Sequence, residues 1–127
     1  MTDGHNRVII AEDNHILREI IAKGLAWLGT WEIVKVSGGA EALAALAGPG
    51  AVLAILDWKM EGGDGLDCAR RIRTGENGVN PRLPVVLVTA AGDELTEAMV
   101  REAGIDVVLR KPFTLVQFQS AVRRLLA

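Results

Sequence analysis

Four short runs of nearly uninterrupted hydrophobes constrain this chain more than any other feature: RVIIA (7–11), AVLAIL (51–56), PVVLVT (84–89) and DVVL (106–109). They are short and rich in β-branched residues, the pattern of strands covered on both faces. A fifth run, WEIVKV (31–36), alternates in polarity and suits a sheet edge. Helical segments lie between the runs. Residues 15–28 place Ile16, Ile20, Ile21, Gly24, Leu25 and Leu28 at three- and four-residue spacing. Leu66, Ala69 and Ile72 repeat that spacing, as do Leu115, Phe118, Val122 and Leu125 in the last segment. Five strands alternating with five helices require βαβ units, a parallel sheet and right-handed crossovers. The expected fold is α/β, a doubly wound (βα)5 three-layer sandwich around a five-stranded parallel sheet.

At 127 residues the chain has the size of one domain, read here as 1–127 with a flexible tail over 1–6. No linker, repeat or low-complexity tract divides it. A net charge of −2 offers no general field for nucleic acid. The basic clusters at Arg70, Arg71 and Arg73 and at Arg123 and Arg124 read as solvated helix faces. The single cysteine, Cys68, leaves no internal disulfide and fits a reducing, cytoplasmic compartment. It lies beside the apolar face of its helix and reads as packing. No apolar run approaches the roughly 20 residues that span a bilayer, so no membrane insertion is expected.

In an open parallel sheet, functional groups gather beyond the carboxyl ends of the strands. The first strand here runs into Glu12 and Asp13, the third ends at Asp57, the fourth at Thr89 with Ala90 and Ala91 beyond, and the fifth leads to Lys111 before Pro112. Each is unremarkable alone: aspartates cap helices and form turns, and lysines are usually solvated. Glu12 and Asp13 could simply cap the first helix together with Asn14. If these strands are neighbours, three carboxylates, a hydroxyl and an ammonium converge on one edge. Clustered carboxylates repel, and either protonate or bind a cation. With oxygen ligands alone on offer, the cation is a hard one, Mg²⁺ by preference. A carboxylate so placed can act as nucleophile toward a phosphoryl group, with Lys111, the Thr89 hydroxyl and the Ala90 N–H to receive its oxygens.

At this point the chain resembles a response-regulator receiver domain of two-component signalling. The likeness rests on IIAEDN, LDWKMEGGDG, VVLVTAA and GIDVVLRKPF, in that order, and covers residues 7–126. It implies a flavodoxin-like sheet in order 2-1-3-4-5, and a stand-alone regulator of the chemotaxis type. It further implies that Asp57 accepts phosphate from a phosphohistidine of a sensor histidine kinase or phosphotransfer protein. Asp13, Asp57 and the backbone carbonyl of Lys59 would bind Mg²⁺, and Glu12 would act mainly through water. Thr89, Ala90 and Lys111 would hold the phosphate, the Lys111–Pro112 peptide would be cis, and the only catalysis would be of the chain's own phosphorylation and dephosphorylation. Output would be a protein contact through the fourth helix, fifth strand and fifth helix, by a monomer or a phosphorylation-dependent dimer, or onward relay of the phosphate.

The departures are specific. Glu61 stands where the family has proline, and Val108 where it has the aromatic partner of the switch threonine. Lys59 and Ala91 occupy positions that in this family modulate dephosphorylation. Trp58 is expected half-exposed beside the metal. Trp27 and Trp31 read as core or staple residues, Phe113 as the anchor of the last helix, and His5 and His15 as surface residues. Three alternatives stand beside the main one. A scaffold that is never phosphorylated would not need the complete acidic cluster. A Mg²⁺-dependent phosphatase would need a second aspartate where Lys59 stands, and a lid. A receiver excised from a longer regulator or hybrid kinase would have the same sequence, although the ending at RRLLA suggests no appended output domain.

Overall fold

The computed structural model describes residues 6–60, 64–90 and 92–126. Five strands, β1 (Arg7–Ala11), β2 (Glu32–Val36), β3 (Ala51–Asp57), β4 (Val85–Thr89) and β5 (Val107–Arg110), form one sheet. Every pairing is parallel and the order is β2-β1-β3-β4-β5. The helices are α1 (His15–Ala26), α2 (Gly39–Leu46), α3 (Gly65–Arg73), α4 (Glu97–Ala103) and α5 (Leu115–Leu126), with a short 3₁₀ turn at Glu76–Gly78. The flavodoxin-like order and the edge position of β2 agree with the sequence.

Alternation along each strand divides the core in two. On one face, Ile9, Ala54, Leu56, Val85 and Leu87 pack with residues of α2 and α3. On the other, Val8, Ile10, Leu53, Ile55, Val86 and Val88 meet Ile21 and Leu25 of α1 and Phe118 and Val122 of α5. With helices on both faces, the central strands have no polar side, which is why their sequence is continuous rather than alternating.

Helix starts are set by local chemistry. The Asn14 side chain accepts from Leu17 N at 2.9 Å, so Asn14 caps α1. Thr114 and Gln117 form a reciprocal capping box at α5, with Gln117 N to Thr114 Oγ1 at 3.0 Å and Thr114 N to Gln117 Oε1 at 2.8 Å. Cys68 is buried, and its thiol is pushed up to about 12 by desolvation, which leaves it unreactive packing.

Several expectations are corrected here. Ile16 is 72 % exposed and Ile20 is also exposed, because the buried stripe of α1 runs through Ile21, Gly24 and Leu25; Leu115 is exposed at the first position of α5, where the buried residues are Phe118, Ala121 and Val122. Residues 16 and 20 lie about one helical position off that stripe. Trp27 is 82 % exposed, whereas Trp31 does act as a staple, its indole N–H donating to Leu25 O at 2.8 Å. Arg73 is not a solvated residue. Its guanidinium donates to the carbonyls of Gly104, Pro81 and Leu83 and to Asp106, tying α3 to the segments that enter β4 and β5. The expected tail over 1–6, apart from Asn6, and the surface placement of His5 lie outside the described residues.

Candidate functional site

The site is assembled at the carboxyl ends of β1, β3, β4 and β5. Beyond β1, Glu12 N donates to Val36 O at 3.1 Å, extending the ladder with β2 by one residue and holding the Glu12 side chain inside. Asn14 N donates to Glu12 Oε2 at 3.0 Å. Helix capping therefore falls to Asn14, and the acidic pair is left for the cleft. Asp13 is exposed at its rim.

Asp57 is the last residue of β3 and is buried. Its backbone is held by neighbours: Trp58 N donates to Val88 O at 2.8 Å and Gly65 N to Trp58 O at 2.8 Å. Gly65 is close-packed here, since a Cβ would lie 2.5 Å from Asp57 O. One carboxylate oxygen each from Glu12, Asp13 and Asp57 falls within a 4.8 Å cluster. Lys111 Nζ lies 3.6 Å from Asp57 Oδ1 and 3.7 Å from Glu12 Oε1. Its position follows from Lys111 N donating to Thr89 O at 2.7 Å, just past the β4–β5 ladder. The Lys111–Pro112 peptide is cis.

The electrostatics follow from burial. Desolvation pushes Glu12 up to about 7; its contact with Asn14 N and the charge of Lys111 oppose this, and the charge of Asp57 adds to it. Desolvation also raises Asp57, against the pull of Lys111. Glu12 Oε1 is buried without a hydrogen-bond partner. A polar oxygen left this way, in a group of carboxylates with one cation to share, is what a hard divalent ion would satisfy. Glu12, Asp13 and Asp57 thus fit such an ion chemically.

Thr89 ends β4, fully buried, and its hydroxyl donates to Asp93 Oδ2 at 2.6 Å. The same oxygen accepts from Ala90 N at 2.9 Å. Asp93 was not among the residues singled out from the sequence; its only signal is an acid four positions past the threonine, after a glycine. Lys59 is exposed, with its Nζ 4.8 Å from the centre of the Trp58 ring. Trp58 itself is 8 % exposed, contrary to expectation. Alternation explains it: Trp58 continues the parity of Ala54 and Leu56 and packs in their cluster, on the side of the sheet opposite to that of Ile55. The departure at Glu61 and the position of Ala91 lie outside the described residues.

Away from the cleft, α4, β5 and α5 frame an open groove of about 830 Å³. Leu95, Val108, Pro112 and Val116 line it with Arg101 and Arg110. Val108 is half-buried and packs against the α2–α3 side of the core. Phe113 sits 6.4 Å from Phe118, ring to ring, at the start of α5, in keeping with an anchoring role. No described helix is long and apolar enough to cross a membrane.

Comparison with known proteins identifies the arrangement. The chain is 31% identical over 107 residues to the phosphate regulon transcriptional regulatory protein PhoB of Pseudomonas aeruginosa, a match covering 84% of this chain and 45% of PhoB. It spans about half the length of that relative. Over 109 residues it is 27% identical to the chemotaxis protein CheY1 of Helicobacter pylori, covering 85% of this chain and 86% of that one. Among solved structures, it superposes with a TM-score of 0.81 on the receiver domain of a sensor histidine kinase from Pseudomonas aeruginosa. That structure has a magnesium ion coordinated in its active-site cleft; the two are 26% identical, over 95% of this chain and 97% of that one. The sequence pattern of the response regulator receiver domain matches residues 8–123, and the chain belongs to that family.

Proposed function

We propose that Asp57 is the phosphoacceptor of a two-component system, receiving a phosphoryl group from a phosphohistidine on a sensor histidine kinase or phosphotransfer protein. The observation that carries this is the cluster itself: three carboxylates within 4.8 Å, one with an unpartnered buried oxygen, and Lys111 3.6 Å from the carboxylate that ends β3. Glu12, Asp13, Asp57 and the Lys59 carbonyl would hold Mg²⁺, which when bound neutralises charge on the transferring phosphoryl group.

The chain's own residues do the rest. A carboxylate oxygen of Asp57 forms the new bond to phosphorus as the nitrogen–phosphorus bond of the donor breaks, and the imidazole leaves with the bonding pair. The Lys111 ammonium pairs with a phosphoryl oxygen as a point charge. The Thr89 hydroxyl and the Ala90 N–H donate to the others. The rigid strand beneath Asp57 keeps the acceptor from wandering, so positioning supplies much of the rate. On this reading the chain is a phosphoacceptor that catalyses only its own modification and works as a single domain in the cytoplasm. Its contacts change at the groove between α4, β5 and α5 as a population shift. A downstream protein would bind there, or a second copy would.

A second reading concerns context. The chain spans 45% of PhoB, so a receiver that is part of a longer regulator is the alternative. An immunoblot of the endogenous product distinguishes the two by length.

The test is intact-protein mass after incubation with acetyl phosphate and Mg²⁺, beside Asp57→Asn and a chelated control. One phosphate adduct, dependent on metal and absent in the variant, is expected. If no adduct forms and the acyl-phosphate mimic beryllofluoride also fails to bind, the phosphoacceptor reading is refuted and a scaffold role replaces it.

A further inference from the structure

The two donors assigned above to the phosphoryl group are already in use. The Thr89 hydroxyl carries one proton, and that proton is donated to Asp93 Oδ2 at 2.6 Å. The Ala90 N–H also has one hydrogen, donated to the same oxygen at 2.9 Å. Asp93 N closes the turn by donating to Ala90 O at 3.1 Å. A single anionic oxygen thus collects both donors. Neither donor can serve Asp93 and a phosphoryl group at full strength together.

We propose that Asp93 is a resident counter-ligand of the phosphoryl site: its carboxylate occupies the Thr89 and Ala90 donors until a phosphoryl group on Asp57 displaces it. The inference rests on the phosphoacceptor reading of Asp57 and specifies how that site is regulated. The surroundings agree with it. The Thr89 hydroxyl and then the Ala90 N–H hold the Asp93 carboxyl below its usual range, and the positive charges of Lys59 and Lys111 act in the same direction. The carboxylate therefore lies in the field of the lysine that pairs with Asp57. A second anion there repels it. Asp93 is half-exposed on the segment between β4 and α4, so water is at hand to receive it.

Displacement has a structural consequence. Two residues beyond Asp93, Leu95 is buried at the edge of the α4–β5–α5 groove, with its carbonyl accepting from Arg110 at 3.4 Å. Thr96 next to it caps α4, accepting from Met99 N at 3.1 Å. Release of Asp93 frees the segment that leads into both. In a chain with valine at 108, this gives the phosphorylation site a route to the groove that needs no aromatic side chain.

The experiment is a titration of beryllofluoride with Mg²⁺ present, by calorimetry, against the wild type, Asp93→Ala, Asp93→Asn, Thr89→Ala and the Thr89→Ala/Asp93→Ala double variant. Losing the competing charge-assisted bonds should tighten binding by about tenfold in Asp93→Ala. Asp93→Asn, which keeps an acceptor without the charge, should fall between. In a Thr89→Ala background the gain from Asp93→Ala should shrink to a fraction of that, a coupling that a merely structural role would not produce. Urea midpoints identify any variant that fails to fold, and Asp93→Asn carries the test if Asp93→Ala does. Unchanged or weaker binding by folded Asp93 variants overturns the inference while leaving Asp57 as acceptor. A wild type that neither binds beryllofluoride nor takes phosphate overturns both.

Discussion

Glu12 should make the folded chain less stable as the solution becomes alkaline, and Glu12→Gln should remove that weakness. Burial pushes the Glu12 carboxyl up to about 7 from an ordinary value of 4.5. The folded state therefore binds the Glu12 proton more tightly than the unfolded chain does. The contribution of this group to stability is fully present below about pH 4.5 and is lost as pH rises through about 7. At about pH 8.5, where the carboxylate is ionised in both states, the difference of about 2.5 pKa units converts to about 3 kcal/mol. Glutamine keeps an oxygen to accept from Asn14 N and turns an amide toward Asp57, so the variant retains the contact that positions the side chain. Urea unfolding with chelator, followed by circular dichroism, should find Glu12→Gln more stable by about 2–3 kcal/mol at pH 8.5, with the curves converging near pH 4. Millimolar Mg²⁺ should narrow the gap, since a cation bound at a hundred times its Kd adds about 2.7 kcal/mol to the protein that binds it better. A gap independent of pH, or a variant less stable than wild type at pH 8.5, would refute the account of Glu12 as a desolvated carboxylate.

Mg²⁺ and protons compete for the same oxygens, so Mg²⁺ affinity measured by calorimetry should decline as pH falls through about 7, well above where exposed carboxylates titrate. Affinity that stays flat down to about pH 5 would exclude Glu12 from the ligand set. Gly65→Ala places a Cβ 2.5 Å from Asp57 O and 2.8 Å from Leu87 Cδ1. It should lower stability by about 1–3 kcal/mol in urea titrations and, on the proposed function, slow labelling by acetyl phosphate by moving Asp57. Arg73→Met leaves three carbonyls without their side-chain donor and Asp106 without its guanidinium, and should lose about 2–3 kcal/mol. Arg70→Met, which breaks only an exposed pair with Glu102, should lose less than about 1 kcal/mol; equal losses would contradict the anchoring role of Arg73.

The legible features were those that depend on a strand's period and on where a strand stops. Continuous hydrophobicity in β1, β3 and β4 follows from burial on both faces, and β2 betrays its edge position by alternating. The convergence of Glu12, Asp13, Asp57 and Lys111 follows from the ends of β1, β3 and β5 lying at one edge of a parallel sheet. What escaped depends on orientation. Spacing of three and four residues fits both a stripe through Ile16 and Ile20 and one through Ile21 and Leu25, and packing on the sheet and α5 selects the second. Trp58 is next to the cleft in sequence but not in orientation, because adjacent residues of an extended chain face opposite ways and Asp57 takes the side of the cleft. Arg73 reads as one more arginine in a basic helix, since its acceptors are backbone carbonyls from distant segments that have no sequence signature.

Asp93 belongs to the same class, and it shows why a complete motif does not describe a complete mechanism. The motif identifies groups that would bind a phosphoryl oxygen; it says nothing of what those groups hold beforehand. A buried hydroxyl is not left unpaired, because an unsatisfied donor costs about 1–3 kcal/mol. The Thr89 hydroxyl must therefore have a partner before phosphorylation, and any switch built on it is an exchange of partners rather than a gain of one. Whether that partner is water or a fixed carboxylate decides the balance between the two states. On the exchange proposed above, Asp93 would set one anion against another over the same two donors, so that the free energy of switching would be a small difference that a single side chain can tune.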